Sequence, residues 1–183
     1  DVSGKGVPAA LFMVIAKTLI KNQTQPDISL GEVFTRVNDQ LCENNGEGMF
    51  VTSFMAVLDL DTLELTYVNA GHNPPVLRRN NGEFSFLKIN PGFVLAGLEG
   101  MRYKEEKISL AKGDRLFLYT DGVTEANNPA GELFGDDRLL ESLNKNAMLP
   151  LDQLLSGVKA SMDTFASGAE QFDDITMMVL EVR

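Results

Sequence analysis

Apolar positions in this chain change period three times, and each change marks a change of predicted element. From Ala9 to Lys21, Leu11, Phe12, Met13, Val14, Ile15, Leu19 and Ile20 are apolar on almost every side. That predicts a helix covered on most faces, with Pro8 at a first helical position, where its missing N–H costs nothing. Ser29-Leu30-Gly31-Glu32 reads as a capping box. Leu30, Val33, Phe34, Val37 and Leu41 follow at helical spacing, a second helix amphipathic enough to pack on a sheet, with Cys42 near its end. Residues 44–48 are polar and predict a loop.

From Met49 the spacing becomes that of strands. Phe50 to Leu58 and Leu63 to Val68 flank Asp59-Leu60-Asp61-Thr62, which predicts a hairpin. Asn69 to Pro75 forms a rigid loop, and a second hairpin turns at Asn80-Asn81-Gly82 between Val76–Arg79 and Glu83–Leu87. Pro91 to Gly100 is an apolar connector expected to pass close to the sheet. Tyr103 to Leu110 alternates as a strand, and the run Leu116 to Tyr119 is expected to be the next strand, antiparallel to it. That run is short and apolar, as a buried strand is, and stops at Asp121-Gly122, a turn-forming pair. Asp136 is placed to cap a helix through Lys145, Pro150 to start a last helix, and Ile175 to Val182 to form a final apolar strand. Helices, then strands, then helices, then a strand predict an α+β fold of helices covering antiparallel sheets.

Composition narrows the chemistry. The 183 residues suffice for one domain with a real core. A net charge of −10 opposes phosphate backbones, so no nucleic-acid partner is expected. No basic amphipathic helix is available to hold a membrane, and Pro8 to Ala16 is too short an apolar run to span one. One cysteine and one histidine exclude an internal disulfide, a thiolate zinc site and a multi-histidine centre. A catalytic metal would therefore take mostly oxygen ligands, which selects magnesium or manganese.

Three acidic positions stand where an apolar element begins or ends: Asp1, Asp121 and the pair Asp173-Asp174. Carboxylates converging at one mouth of a sheet could not all stay ionised without a cation between them. Two Mg²⁺ or Mn²⁺ ions about 3.5–4 Å apart would bind a phosphate ester and activate water for in-line attack. Three unrelated surface turns would produce the same spacing. The Gly4-Lys5-Gly6 loop lacks the pattern of a phosphate cradle. His72 fits a loop residue bonding local backbone better than a general acid.

Four stretches carry a resemblance that covers essentially the whole chain: Asp1 to Met13, Asn69 to Pro75, Tyr119 to Ala126 and Asp173 to Thr176. In order and residue type they resemble the PP2C-type (PPM) serine phosphatases, in their bacterial sporulation and stress-response branch, SpoIIE-like. The resemblance implies two antiparallel sheets packed as a sandwich and flanked by helices, with two Mn²⁺ or Mg²⁺ ions at one end. It implies that Asp1 bridges both ions, that the Val2 carbonyl binds one, and that Asp121 and Asp173 complete the shell of the second. Asp174 would orient the strand end. The activity implied is hydrolysis of phosphoserine or phosphothreonine on a regulatory protein, a STAS-type anti-sigma-factor antagonist in the cytoplasm.

The resemblance also implies strands ahead of Asp1, so residues 1–183 are expected to be an N-terminally truncated phosphatase domain of a longer protein with an N-terminal sensory or receiver domain. Such a piece is expected to bind metal weakly or not at all, and its uncovered sheet edge to invite a homodimer. Two rivals stand beside this reading: a catalytically inactive regulatory binding module of the same fold, and a hydrolase of small phosphate esters.

Overall fold

The computed structural model describes residues 1–43, 45–171 and 173–183. Asn44 of the predicted loop and Phe172 of the last acidic junction lie outside the described residues. Among those described, the order is α1 (Val7–Gln23), α2 (Leu30–Cys42), β1 (Ser53–Leu58), β2 (Glu64–Ala70), β3 (Val76–Arg78), β4 (Phe84–Phe86), β5 (Glu106–Ser109), β6 (Arg115–Tyr119), α3 (Gly135–Lys145), α4 (Leu151–Ala166) and β7 (Met177–Glu181). Four helices and two antiparallel sheets are the α+β class that the periodicity predicts. No helix among the described residues is long and apolar enough to cross a membrane.

The chain divides into two compact units, the first made of residues 1–72 and 89–110. Its sheet runs β1-β2-β5, with Leu58 opposite Leu65 across the predicted hairpin. Asp59 closes that turn by accepting the amides of Asp61 and Thr62 at 2.9 and 2.8 Å. Helix α2 lays Val33, Phe34, Val37 and Leu41 on Val51, Val68, Ala70 and Leu95. Each fully buried side chain of this kind contributes about 1.5–3 kcal/mol. Ser29 caps α2 by accepting the Glu32 amide at 3.2 Å, and Glu105 accepts that of Leu30 at 3.0 Å. The connector 91–100 does lie against this sheet. Val51 and Leu95 exchange both backbone hydrogen bonds, at 2.8 and 3.0 Å. Buried Asn38 receives the Ala96 amide and the Tyr103 hydroxyl.

The second unit comprises residues 73–88 and 111–183. Its sheet runs β4-β3-β6-β7. Strand β6 is central, paired with β3 on one side and β7 on the other, which explains an apolar run with Leu116, Phe117 and Tyr119 all buried. Helices α3 and α4 cover it with Leu139, Leu143, Leu154, Val158 and Met162. Arg115 grips Glu181 across the β6–β7 ladder at 2.6 Å and donates to the Ala147 and Leu149 carbonyls.

Three expectations need correction. Strands β5 and β6 are not partners: β5 pairs with β2 and β6 with β3 and β7, so the turn at Lys112-Gly113-Asp114 crosses between sheets. Alternation shows that both segments are strands but carries no information on which neighbour each one takes. Helix α1 is not covered on most sides. It turns Ala16, Phe12, Leu19 and Ile20 to the core and leaves Val7, Leu11, Val14 and Ile15 exposed, because α2 is the helix it packs beside. Asp136 does not cap α3; it lies in the first turn, after Phe134 at the N-cap.

Candidate metal centre

In the first unit the segment Asp1-Val2-Ser3 forms a short antiparallel arm along Phe50-Val51-Thr52. Thr52 N–H donates to Asp1 C=O at 2.7 Å and Ser3 N–H donates to Phe50 C=O at 2.9 Å, framing a bridge between Val2 and Val51. In that register Val2 and Val51 form a non-hydrogen-bonded pair, so the Val2 carbonyl faces away from its partner strand and takes no part in the ladder. A backbone carbonyl turned out beside an exposed carboxylate is a two-oxygen donor set of the kind a hard cation takes. The Asp1 nitrogen donates to Thr52 C=O at 2.8 Å.

Thr52 also meets His72: its hydroxyl lies 3.0 Å from the imidazole Nδ1. The His72 backbone is clamped by buried Asn69, whose amide accepts the His72 N–H and donates to the His72 C=O, both at 2.8 Å. The local backbone bonding expected of His72 is thus supplied by its own main chain, while the ring reaches Thr52. Thr52 is a residue that sequence reasoning missed, since a lone threonine ahead of a strand carries no signal. Lys5 stands exposed in its loop.

In the second unit Asp121 stands two residues past Tyr119, the last residue of β6. Thr120 fastens the segment that precedes β7 to this strand end. Its amide donates to Thr176 C=O at 3.1 Å, its hydroxyl donates to Asp174 C=O at 3.0 Å, and the Thr176 amide donates back to that hydroxyl at 3.0 Å. Gly122 then abuts the backbone of Asp173 and Asp174: a β-carbon on it would lie 2.4 Å from Asp174 O and 3.4 Å from Asp173 C. The Asp121 and Asp173 segments, 52 residues apart in sequence, are therefore neighbours in space. Asp121 C=O accepts the Glu125 amide at 2.8 Å and the Thr124 hydroxyl at 3.3 Å, which curls the chain away and leaves the half-buried carboxylate at the turn. The Asp173 carboxylate receives the Asp174 amide at 2.8 Å. Asp174 itself is exposed and is held here through its backbone. A cavity of about 60 Å³ opens beside Gly122 and Asp173, walled by Ala126, Met162, Ala166 and Ile175.

In the first unit Asp1 and Val2 are consecutive residues of the arm, and in the second the backbone segments that bear Asp121 and Asp173 lie side by side. Among the described residues no group of three or more His, Cys, Asp or Glu stands ready to hold an ion. All four donors are oxygens and suit magnesium or manganese.

The chain as a whole is similar to known proteins. The family model of Stage II sporulation protein E (SpoIIE) matches residues 1–183. Phosphoserine phosphatase RsbU of Bacillus subtilis is 29% identical over 98% of this chain and 53% of its own length. The curated relatives it matches are longer, and the chain spans 32–53% of their length. Among solved structures, the SiaA-PP2C domain of Pseudomonas aeruginosa superposes with a TM-score of 0.84 at 20% identity, over 99% of this chain and 73% of that one. The catalytic domain of the serine threonine protein phosphatase PstP, solved in complex with two manganese ions, superposes with a TM-score of 0.67 at 18% identity, over 98% of this chain and 84% of that one. At these identities the two structures establish the fold.

Proposed function

The chain belongs to the Stage II sporulation protein E (SpoIIE) family, and from that premise we propose that it is the phosphatase domain of a metal-dependent protein serine/threonine phosphatase. The observation that carries the proposal is the junction of Asp121 with Asp173, held by Thr120 and closed by Gly122. A strand end that fastens the backbone bearing Asp173 beside the one bearing Asp121, with a glycine at the contact, supports this reading. Asp121 and Asp173 of the second unit, with the Asp1 carboxylate and Val2 carbonyl of the first, are the oxygen ligands of this reading. When bound, two Mn²⁺ or Mg²⁺ ions supply Lewis-acid polarisation of the phosphate and lower the pKa of an attacking water. The protein's part is to hold the carboxylates at fixed strand ends and to orient the phosphate ester.

The substrate is a phosphoserine or phosphothreonine on a regulatory protein, in keeping with the name of the relative RsbU, and an anti-sigma-factor antagonist of the STAS type is the partner proposed. A cytoplasmic setting, an N-terminal sensory or receiver domain and a homodimer belong to the same reading. The test is release of phosphate from p-nitrophenyl phosphate and from a phosphoserine protein by the longer parent that this reading implies, with Mn²⁺ and after chelation. We expect Mn²⁺-dependent turnover of both, lost by orders of magnitude in Asp121→Asn with the fold intact. Undiminished Mn²⁺-dependent turnover in that variant refutes the ligand assignment. Binding of the phosphoprotein without hydrolysis would make the domain a recognition module, and hydrolysis confined to the small ester would refute the protein substrate.

A further inference from the structure

We propose that His72 is a positioning residue, which fixes the Asp1-Val2 arm through Thr52; the inference rests on the metal reading above, since it assigns that arm a purpose. The arm's backbone ladder bonds to Phe50 and Thr52: Ser3 donates to Phe50, and Asp1 exchanges a pair with Thr52. Asp1 is exposed and Val2 half-buried, so packing of their side chains supplies little of the precision that a metal ligand needs. Whatever holds residues 50–52 therefore bears on where the arm lies. Val51 is anchored from its other side by the paired bonds with Leu95. Thr52 is anchored by its side chain, through the 3.0 Å contact between its hydroxyl and His72 Nδ1.

A hydroxyl both donates and accepts, so the contact closes with either neutral tautomer of the imidazole. The ring is itself well founded. Asn69, 6% exposed, grips the His72 backbone on both sides, and Gly71 takes a φ of 70° to make the turn. The β-carbon that Gly71 lacks would fall 2.6 Å from Val94 Cγ1, so the loop lies flat on the connector. A continuous path results: buried amide, loop backbone, imidazole, hydroxyl, and then the ladder that bears Asp1. A histidine serving its loop alone would not cross to a residue twenty positions earlier in the chain. Outer-shell partners of this kind typically alter metal affinity about 10–100-fold when removed.

The test is a calorimetric Mn²⁺ titration of the longer parent that the metal reading implies, with thermal melting of the metal-free protein alongside, for wild type, His72→Ala, His72→Asn, Thr52→Val and Thr52→Ser. An asparagine amide occupies nearly the position of imidazole Nδ1 and restores the contact, as serine restores the hydroxyl. We expect His72→Ala and Thr52→Val to weaken Mn²⁺ binding about tenfold or more. His72→Asn and Thr52→Ser should stay near wild type, with metal-free melting little changed throughout. Wild-type affinity in His72→Ala overturns the inference and leaves the metal reading standing. Equal losses in His72→Ala and His72→Asn, tracking a lowered melting temperature, overturn it too, because they mark a purely structural role. A wild-type protein that does not bind Mn²⁺ refutes the metal reading itself and this inference with it.

Discussion

Gly122 lies so close to Asp174 that a β-carbon on it would stand 2.4 Å from the Asp174 carbonyl oxygen. The glycine is required by proximity. Its φ is not among the positive values, so the turn could accept another residue, and the neighbouring backbone cannot. That contact sets how near the segment bearing Asp173 comes to the strand end bearing Asp121.

Gly122→Ala should therefore act as a wedge. The intruding methyl has to push the Asp174 carbonyl outward, and overpacking of a tight site costs about 1–3 kcal/mol. A displacement near 1 Å is enough to reduce turnover about a hundredfold. Mn²⁺-dependent kcat on p-nitrophenyl phosphate together with thermal melting measures both effects. Wild-type kcat in this variant would show that the contact does not set the spacing of the two carboxylates.

Asp114→Asn tests the turn that leads into β6. The Asp114 side chain is 2% exposed and accepts from Arg79 at 2.7 Å, from the Asn80 amide at 2.8 Å and from the Ala111 amide at 3.0 Å. Burial pushes its carboxyl up, but the Arg79 guanidinium and the two amides outweigh that and hold it below the usual carboxylate range. A group with a depressed folded value adds stability above its unfolded value, about 3.9, and loses it as pH falls through the folded one. The variant should be less stable by about 2 kcal/mol at pH 7, with the difference shrinking below about pH 4. Urea denaturation at pH 7 and pH 3 reads it.

Asn69→Ala removes both hydrogen bonds that clamp the His72 backbone and leaves those polar groups half-buried without their partner. A loss of about 2 kcal/mol is expected from one buried donor and one acceptor. Chemical denaturation of the metal-free chain measures it. A loss well under 0.5 kcal/mol would mean that the loop is held by packing on Val94.

Ser29→Ala should cost about 1 kcal/mol, because the Glu32 amide loses its cap at the start of α2. Ser29→Asp should recover most of it, and the same denaturation series distinguishes the two.

Local order decided much of what the sequence alone determined here. The capping box at Ser29, the hairpins at Asp59 and Asn81-Gly82, and the buried run at Leu116 are written in residues near one another, so period and turn chemistry suffice to read them. The candidate ligands were legible by residue type and by resemblance. Tertiary structure decided the rest: that β6 takes β3 and β7 as neighbours rather than β5, that α1 keeps an exposed apolar face, that Thr120 staples Asp174, that Thr52 receives His72, and that Gly122 is a contact glycine. Each of these depends on segments twenty or more residues apart meeting in space. Hydrophobic period specifies which face a segment buries and carries no term for which partner covers it.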